Sequence, residues 1–478
     1  MEVLLGIDVG NTNIKCIAIE PSGNCIKLII NPVEKTDTIY KVDVLFNTVC
    51  NALREITAAL SAQTHILGIA VSSVGCSAIY LDQDEKQFLI EKPVKTTLPD
   101  DISAVTGYPA SYRNAGVELL SCADDLSLIS KVLSISDYIV YKLSGKFGRD
   151  ISTCGSMSMY DRYNNKWWGT FKTLTGLGDV KLGSIYHSGT MIGEITKEIA
   201  EKTGIPEGIP VCFGGHDYLC AAFALGCVDE RSILNVLGTY EMVTTFCKDI
   251  PHVNNELRIF SDHHCYPGRY SRTCETLAGS QLEWMRKNIC GDDSLDFWDI
   301  VYKKIDLLPP SFLCEENELF IPRIFGEFFP VRDTTLYGGF FGLTSKSDIF
   351  RMIRAVIEGL CMYSKQMIKS ISTDDAAKII IAGGGSRSRL WMQTKADVLG
   401  TSIIVPHVPE ASATGAALLA GVGIGVYSGH EEASKVYSNA PVNEYTPNIE
   451  RVWLFEHVYS ELFLPALKIA TVLNKNIC

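Results

Sequence analysis

The sequence predicts an α/β fold in two domains, each built around a mixed β-sheet. Strand-like and helix-like hydrophobic patterns alternate along most of the chain. Each half opens with two strands that are joined by a glycine-containing turn. The length of 478 residues exceeds what one ordinary hydrophobic core holds. We place the boundary at the acidic stretch 228–231, which gives predicted domains over residues 1–228 and 229–478.

The first half begins with three predicted strands, at residues 3–7, 14–19 and 25–30, which turn-rich pieces separate into a meander. A helix is predicted over residues 40–60 and a further strand over residues 66–71. Alternating patterns continue to about residue 225. This order favours a mixed sheet with helices packed against it.

The second half repeats this opening. A strand at 232–236 leads into a turn that contains Gly238 and Thr239, and a second strand follows. A later strand, 378–382, ends in a run of three glycines. The sequence contains no low-complexity segment and no short-period repeat.

The composition indicates a small-molecule ligand in a reducing compartment. A formal charge of −12 and a pI near 5.3 exclude nucleic acid as the expected partner, because a protein that binds nucleic acid needs a basic surface. The 16 cysteines show no CxxC spacing, so we interpret them as small buried hydrophobic residues. The N-terminus resembles neither a signal peptide nor a membrane span. We therefore expect a cytoplasmic protein with no membrane partner.

The first candidate site is the stretch GIDVGNTNIK, residues 6–15. A strand carries Asp8 to its end, and Gly10 permits a tight turn in which Asn11, Thr12 and Asn13 supply hydrogen-bond donors. Such a turn can bind a phosphate group, with Asp8 nearby to hold a hydrated Mg²⁺ ion. The alternative is an ordinary β-hairpin in which these residues serve only the turn.

Two glycine-rich stretches in the second half are candidates for the rest of a nucleotide site. Gly238 and Thr239 form a smaller version of the first turn, although a plain hairpin also explains them. Gly384 and Gly385 follow a buried strand, where the absence of side chains lets a flat group such as adenosine approach the backbone. A strand-to-helix connection that tolerates glycine is the alternative.

The stretch FGGHDYLCAA, residues 213–222, places an aspartate where a strand changes into an apolar helix. Asp217 stands at the predicted N-cap, so its carboxylate can accept hydrogen bonds from the first turn of the helix. The same carboxylate can accept a proton from a substrate hydroxyl. His216 can orient a second hydroxyl or simply pack, and packing is the favoured interpretation.

Other signals for nucleotide or metal sites are weak. The sequence has no GxxxxGK[ST] motif, which excludes a P-loop. The glycine-rich run 421–425 follows a helical stretch instead of a strand, so it indicates a helix C-terminus and turn. The DHHC run, residues 262–265, lacks a second ligand pair at suitable spacing and favours a plain strand or loop over a metal site.

Taken in order, these stretches resemble the FGGY family of carbohydrate kinases, in the actin, hexokinase and Hsp70 ATPase superfamily. The resemblance also includes residues 143–152, 338–359, 382–400 and 409–421, and it is nearest to the xylulose kinase-like branch. It implies two ribonuclease-H-like (actin-like ATPase) domains with a central cleft that holds ATP and a sugar. It implies ATP and Mg²⁺ as cofactors, a small sugar or polyol as substrate, and a possible homodimer.

The resemblance also implies roles for individual residues of this sequence. Asp217 resembles the catalytic aspartate and Asp8 the residue associated with metal. The implied nucleotide-binding positions are Gly10, Asn11, Thr12, Asn13, Gly238, Thr239, Gly384 and Gly385. The implied substrate-binding positions are Ser73, Cys76, His216 and Asp217.

The sequence also departs from the family pattern. Asn11 replaces a usual threonine and Lys15 a common arginine, while Gly75 and Cys76 stand where the xylulose kinase branch has Met-His. A Trp-Asn-Asp segment of the family has no counterpart in residues 91–101. We therefore expect phosphorylation of a hydroxyl, primary by preference, on an acceptor other than xylulose. A nucleotide-binding regulatory protein or a bare ATPase of the same fold is the alternative.

Overall fold

The structure is a computed structural model that describes most of the chain. The described residues are 1–33, 41–90, 98–112, 114–122, 125–253, 255–292, 294, 296–308, 318–372 and 378–477. The predicted departure within residues 91–101 therefore lies mostly outside the described residues.

The first half contains a six-stranded sheet and three small sheets. Its strands are β1 (Glu2–Val9), β2 (Asn13–Ile19), β3 (Cys25–Pro32), β4 (His65–Ser73), β5 (Ala78–Leu81), β6 (Gln87–Phe88), β7 (Lys131–Ser134), β8 (Arg149–Asp150), β9 (Tyr160–Asp161), β10 (Lys166–Trp167), β11 (Ile185–Tyr186), β12 (Met191–Glu194) and β13 (Pro210–His216). The large sheet has the order β12-β13-β4-β1-β2-β3.

Helices cover this sheet and fill the connections. They are α1 (Val42–Ala59), α2 (Ile102–Thr106), α3 (Ala115–Ser121), α4 (Ile135–Ser144), α5 (Ile151–Cys154), α6 (Gly169–Thr175), α7 (Asp179–Leu182), α8 (Lys197–Thr203) and α9 (Asp217–Ala224). Helix α4 shows why the local sequence forms a helix there. Ser134 and Asp137 form a capping box at its start, and Gly145 ends it in the left-handed conformation.

The second half contains a seven-stranded sheet of order β16-β17-β15-β14-β20-β21-β22 and a two-stranded sheet. The strands are β14 (Ser232–Leu237), β15 (Tyr240–Cys247), β16 (Ile259–Phe260), β17 (Tyr270–Leu277), β18 (Leu319–Ile321), β19 (Gly339–Phe341), β20 (Lys378–Ala382), β21 (Ile403–Pro406) and β22 (Val442–Tyr445). The helices are α10 (Gly279–Trp284), α11 (Phe297–Ile305), α12 (Ile349–Ile371), α13 (Arg389–Leu399), α14 (Ala411–Gly423), α15 (His430–Ser434), α16 (Ile449–His457) and α17 (Leu464–Ile477).

The two large sheets share one topology. In the first, β1 and β2 form an antiparallel hairpin, β3 extends it, and β4 and β13 add parallel strands on the other side of β1. In the second, β14, β15, β17, β20 and β21 take the same positions with the same directions. The predicted α/β fold with a hairpin at the start of each half is therefore confirmed.

Helix α14 links the two halves, because it lies late in the chain but packs against the first sheet. A Cβ atom added to Gly6 of β1 would lie 1.9 Å from the carbonyl oxygen of Ala413, and one added to Gly415 would lie 1.9 Å from the carbonyl oxygen of Cys220. Both glycines are needed for this close approach. The predicted boundary between residues 228 and 229 separates the two sheets, whereas α14 returns to the first.

Other predicted features agree with the structure in the part of the chain that it describes. The glycine-rich run 421–425 is the end of α14 and a turn, with Gly425 in the left-handed conformation. The cysteines that are described lie outside any disulfide, and most are buried. Among the described residues, no helix is long and apolar enough to cross a membrane.

We predict that Gly6→Ala destabilises the protein by about 2 to 3 kcal/mol, since the new methyl group must displace the backbone of α14. The measurement is the free energy of unfolding from urea denaturation. Gly169→Ala is the control, because a Cβ there meets no atom within 4 Å, and we expect it to stay within about 0.5 kcal/mol of the wild type. Equal stability of the two variants would contradict the close packing of α14.

Candidate active site

Asp8 lies near the end of β1 in a buried polar cluster. Its side chain is only 5% exposed, and its Oδ1 accepts a hydrogen bond from the Ser72 hydroxyl at 3.1 Å. The Nζ atom of Lys15 lies 3.7 Å from Oδ2 of Asp8 and 2.9 Å from Oε2 of Glu410. Burial raises the pKa of Asp8, while the charge of Lys15 and the Ser72 hydroxyl act to lower it. Lys15 is therefore the cation of this cluster.

The turn between β1 and β2 contains the first predicted phosphate-binding residues. The Gly10 N–H donates to the carbonyl oxygen of Asn13 at 3.0 Å, which closes the turn. Asn11 and Thr12 are exposed at its tip, and Asn13 is half-buried. The turn thus presents its polar side chains at the surface beside Asp8.

Asp217 lies at the end of β13, where α9 begins. The capping prediction needs a correction, because His216 is the N-cap residue and Asp217 is the first residue of the helix. The Oδ1 atom of Asp217 accepts the N–H of the next residue, Tyr218, at 2.7 Å, and its side chain is 29% exposed. The Asp217 carboxylate therefore remains accessible to solvent.

The charges of this cluster interact. The pKa of Asp217 is raised to about 7, mainly by burial and then by the charge of Asp8, against the lowering effects of the Tyr218 N–H and of Lys15. Although burial lowers the pKa of Lys15, the carboxylates of Asp8 and Glu410 raise it above its ordinary value. Asp8 near the end of β1, Lys15 of β2 and Asp217 after β13 therefore form one electrostatic site.

His216 is buried between two carboxylates. Its Nε2 lies 3.6 Å from Oδ1 of Asp217, and its Nδ1 lies 3.8 Å from Oδ2 of Asp262. Burial lowers the pKa of His216 to about 3, so the ring is neutral at physiological pH. A Cβ added to Gly75 would lie 2.3 Å from Cε1 of this ring, so the glycine leaves the room that the imidazole occupies.

The stretch 143–152 supports this site from behind. Asp150 accepts both the N–H and the O–H of Ser152, at 2.8 and 2.5 Å, and the Ser152 Oγ accepts the backbone N–H of His216 at 2.9 Å. Gly215 has φ +127°, and a Cβ there would lie 2.4 Å from Oγ of Ser152. The sequence marked this stretch only through its resemblance, and its contact with His216 is new.

The other two predicted substrate-binding residues, Ser73 and Cys76, make contacts within the first half of the chain. Ser73 is fully buried, and its hydroxyl accepts the Ser136 N–H at 2.9 Å and donates to the carbonyl oxygen of Val74 at 3.1 Å. It therefore connects β4 to α4. Cys76 is half-buried, has φ +67°, and its N–H donates to the Ser156 hydroxyl at 3.2 Å.

A cavity of about 690 Å³ in the second half brings together four predicted nucleotide-binding residues, Gly238, Thr239, Gly384 and Gly385. These four residues come from two separate stretches of the chain. The sequence did not single out the remaining lining residues, which include Ser280, Glu283, Trp284, Lys287, Phe325 and Trp391. Two tryptophans close to glycine turns are the signal that could have found them.

The turn at Gly238 is fixed by the start of α10. The carbonyl oxygen of Gly238 accepts the Gly279 N–H at 3.1 Å, and a Cβ added to Gly279 would lie 2.4 Å from that oxygen. Glu241, three residues after Gly238, accepts hydrogen bonds from Lys395 Nζ at 2.5 Å and from the Ser364 hydroxyl at 2.6 Å. This buried ion pair ties β15 to α12 and α13 and so steadies the turn.

The side chains fit a hydrated magnesium ion better than a fully ligated metal. The described residues contain no group of three His, Cys, Asp or Glu side chains that could hold a metal ion. Mg²⁺ commonly binds through one or two carboxylates, with water and substrate phosphates completing its shell. Asp8 offers such a carboxylate beside the turn at Gly10.

Comparison with known proteins gives a consistent result. Residues 122–224 match the N-terminal domain, and residues 276–424 the C-terminal domain, of the FGGY family of carbohydrate kinases. The chain is 27% identical to the L-fuculokinase of Escherichia coli (strain K12) over 90% of this chain and 94% of that protein. It is 25% identical to a xylulose kinase of Staphylococcus epidermidis, over 96% and 95% of the two chains. The solved structure of a xylulose kinase from Lactobacillus acidophilus superposes with a TM-score of 0.85 at 18% identity and covers 100% of both chains.

We predict that Gly384→Val weakens ATP binding at least about tenfold, which is about 1.4 kcal/mol. A Cβ at Gly384 meets no protein atom within 4 Å, so the side chain fits the fold but occupies the cavity that Gly384 lines. The measurement is the Kd for ATP by isothermal titration calorimetry. Gly178→Val is the control, because that exposed glycine also has no neighbour within 4 Å and lies outside the cavity. Equal ATP affinity in both variants would remove Gly384 from the site.

We predict that three aspartates each lower the stability of the protein as the pH rises from about 4 to 7, while buried histidines such as His216, whose pKa burial lowers, contribute in the opposite direction. Burial raises the pKa values of Asp150, Asp217 and Asp262 to about 7, so the folded state holds protons that the unfolded state has released. Asp217→Asn removes one of these groups and should shift the change in melting temperature between pH 5 and pH 8 toward a smaller fall or a larger rise. Asp84→Asn is the control, because its side chain is 78% exposed. An unchanged slope in the Asp217 variant would contradict the raised pKa.

Proposed function

The chain belongs to the FGGY family of carbohydrate kinases, and on that premise we propose that it transfers the γ-phosphoryl group of ATP to a hydroxyl, primary by preference, of a small sugar or polyol. In this proposal Asp217 is the general base. The observation that carries it is the accessible Asp217 carboxylate, with a pKa of about 7, in one cluster with Asp8 and Lys15.

Asp217 has the properties that the proton transfer requires. Phosphoryl transfer has a loose transition state, so the proton leaves the attacking hydroxyl late and a strong base is unnecessary. A carboxylate whose pKa is near the working pH accepts this proton efficiently. The Tyr218 N–H holds Oδ1 of Asp217, which leaves Oδ2 to meet the acceptor.

The phosphate groups would lie beside the same cluster. Lys15 supplies a positive charge next to Asp8, and the turn from Gly10 to Asn13 supplies donors for a phosphate. Asp8 would hold Mg²⁺, which when bound neutralises charge on the phosphates. The first turn of α9 adds backbone N–H groups that favour negative charge near Asp217.

The cavity of about 690 Å³ would receive the adenosine of ATP. A Cβ at Gly384 would meet no protein atom within 4 Å, so the backbone is open there, and Trp284 and Trp391 supply apolar surface in the same cavity. Gly238 and Thr239 line this cavity too, so the second turn would meet the phosphate end of the nucleotide.

The acceptor differs, in our proposal, from that of the xylulose kinase branch. The His216 ring occupies the space beside Gly75, and Cys76 has a small thiol where that branch has histidine. This departure is also the observation that favours the second candidate function, a nucleotide-dependent regulatory protein or bare ATPase. The homodimer and the cytoplasmic location stay predictions.

We predict that a coupled ADP assay over ketoses, polyols and sugar acids identifies at least one acceptor that raises ADP release, with xylulose a poor one. Asp217→Asn should then lower turnover by about 10² to 10⁴, because the amide cannot accept the proton. ATP affinity should be retained, and the melting temperature should not fall below that of the wild type. ATP binding without any acceptor-dependent ADP release would favour the second candidate, and an active Asn variant would remove Asp217 as the base.

A further inference from the structure

The DHHC segment, residues 262–265, has no part in the proposed chemistry but is deeply buried. The exposed fractions of Asp262, His263, His264 and Cys265 are 2%, 8%, 2% and 1%. The segment follows β16 and is bonded to β17, because the Asp262 N–H donates to the Ser271 hydroxyl and the Ser271 N–H donates to the carbonyl oxygen of Asp262. The segment is therefore part of the protein interior and is not an exposed loop.

Asp262 reaches from the second half into the first. The Tyr108 and Tyr218 hydroxyls both donate to its Oδ2, at 2.6 and 2.9 Å. Tyr108 precedes α3, and Tyr218 is the second residue of α9. One buried carboxylate oxygen therefore receives two hydroxyl groups from the other half of the molecule.

Its neighbours in the segment also contact the first half. Nε2 of His264 lies 3.0 Å from the carbonyl oxygen of Cys227, and Sγ of Cys265 lies 3.7 Å from the carbonyl oxygen of Gly214. Gly214 lies in the strand that delivers the candidate base. The segment thus contacts β13 close to the strand end that precedes Asp217.

One hydrogen-bonded route leads from Asp262 to Asp217. Tyr218, which donates its hydroxyl to Asp262, also donates its backbone N–H to Oδ1 of Asp217. His216 lies between the two carboxylates, with ring nitrogens 3.8 Å from Asp262 and 3.6 Å from Asp217, which is too far for hydrogen bonds. The His216 and Tyr218 rings pack edge to face, with centroids 4.6 Å apart. Asp262 therefore holds Tyr218 by a hydrogen bond, and His216 packs against that tyrosine.

We propose that Asp262 is a positioning residue, which holds Asp217 in its reactive orientation through Tyr218 and makes that orientation depend on contact between the two halves. This inference rests on the proposed role of Asp217 as the base. A misplacement of about 1 Å can slow a positioned reaction about 100-fold, so holding the residue next to the base has a direct effect on the rate. Burial raises the pKa of Asp262 to about 7, although the hydrogen bonds from the two tyrosine hydroxyls act to lower it.

The two tyrosines provide a matched test. Tyr108→Phe and Tyr218→Phe each remove one hydroxyl from the same oxygen, but only Tyr218 adjoins Asp217, and its hydroxyl also lies 2.9 Å from that of Ser271. We expect Tyr218→Phe to slow single-turnover phosphorylation of the best acceptor from the screen by about 10- to 100-fold, with the Kd for ATP and the KM for acceptor within about twofold. Tyr108→Phe should lower the melting temperature by a similar amount and keep the rate within about threefold. Equal rates in the two variants would overturn the proposal.

A double-mutant cycle shows whether Asp262 acts through the base. Asp262→Asn should slow the wild-type enzyme but cause no further loss in the Asp217→Asn background, because the group that it positions is already gone. Full additivity would overturn the proposal. An active Asp217→Asn enzyme would instead overturn the proposed function, so the two failures are distinct. If Asp262→Asn does not fold, Tyr218→Phe replaces it in the cycle.

Discussion

The candidate active site depends on holding two carboxyl groups, the buried Asp8 and the half-buried Asp217, in one cluster. Burial and the charge of Asp8 raise the pKa of Asp217, and burial raises that of Asp8. Lys15 offsets this repulsion because its Nζ lies 3.7 Å from Asp8 and 2.9 Å from Glu410. The arrangement is unfavourable for folding but useful for catalysis, since a base near neutral pKa can both lose and gain its proton. The surrounding structure must therefore keep the Asp8 and Asp217 carboxyl groups close together against their mutual repulsion.

The duplicated topology explains how the site is distributed over the chain. The turns at Gly10 and Gly238 join the first two strands of their sheets, so they occupy equivalent positions in the two halves. β4 and β20 are likewise equivalent, because each lies parallel to the first strand of its sheet. The loop that contains Gly75 follows β4, and the glycine triplet follows β20. In the proposed function, one topology thus presents different residues to the acceptor and to ATP.

The sequence predicted the secondary elements near these turns well, because buried strands and glycine turns leave local patterns. The strand predicted over residues 378–382 has those bounds, and the helix predicted over residues 40–60 spans Val42–Ala59. Other features had no local signal. The bond from Tyr108 to Asp262 joins residues 154 positions apart, and Ser73 faces α4 because of tertiary packing. The predicted N-cap, Asp217, lies one residue after the observed N-cap, His216, because the cap position depends on backbone angles that the sequence pattern does not determine.

The packing of α14 against β1 affects how the chain is made. The ribosome produces the first sheet long before residue 411, where α14 begins. At about 5 to 20 residues per second, roughly 10 to 40 seconds pass between the end of α9 and the start of α14. During this interval the face of β1 that carries Gly6 lacks its covering helix, so the nascent first half exposes apolar surface. Completion of its core is therefore a late event in synthesis, which gives chaperones a defined surface and a defined period in which to act.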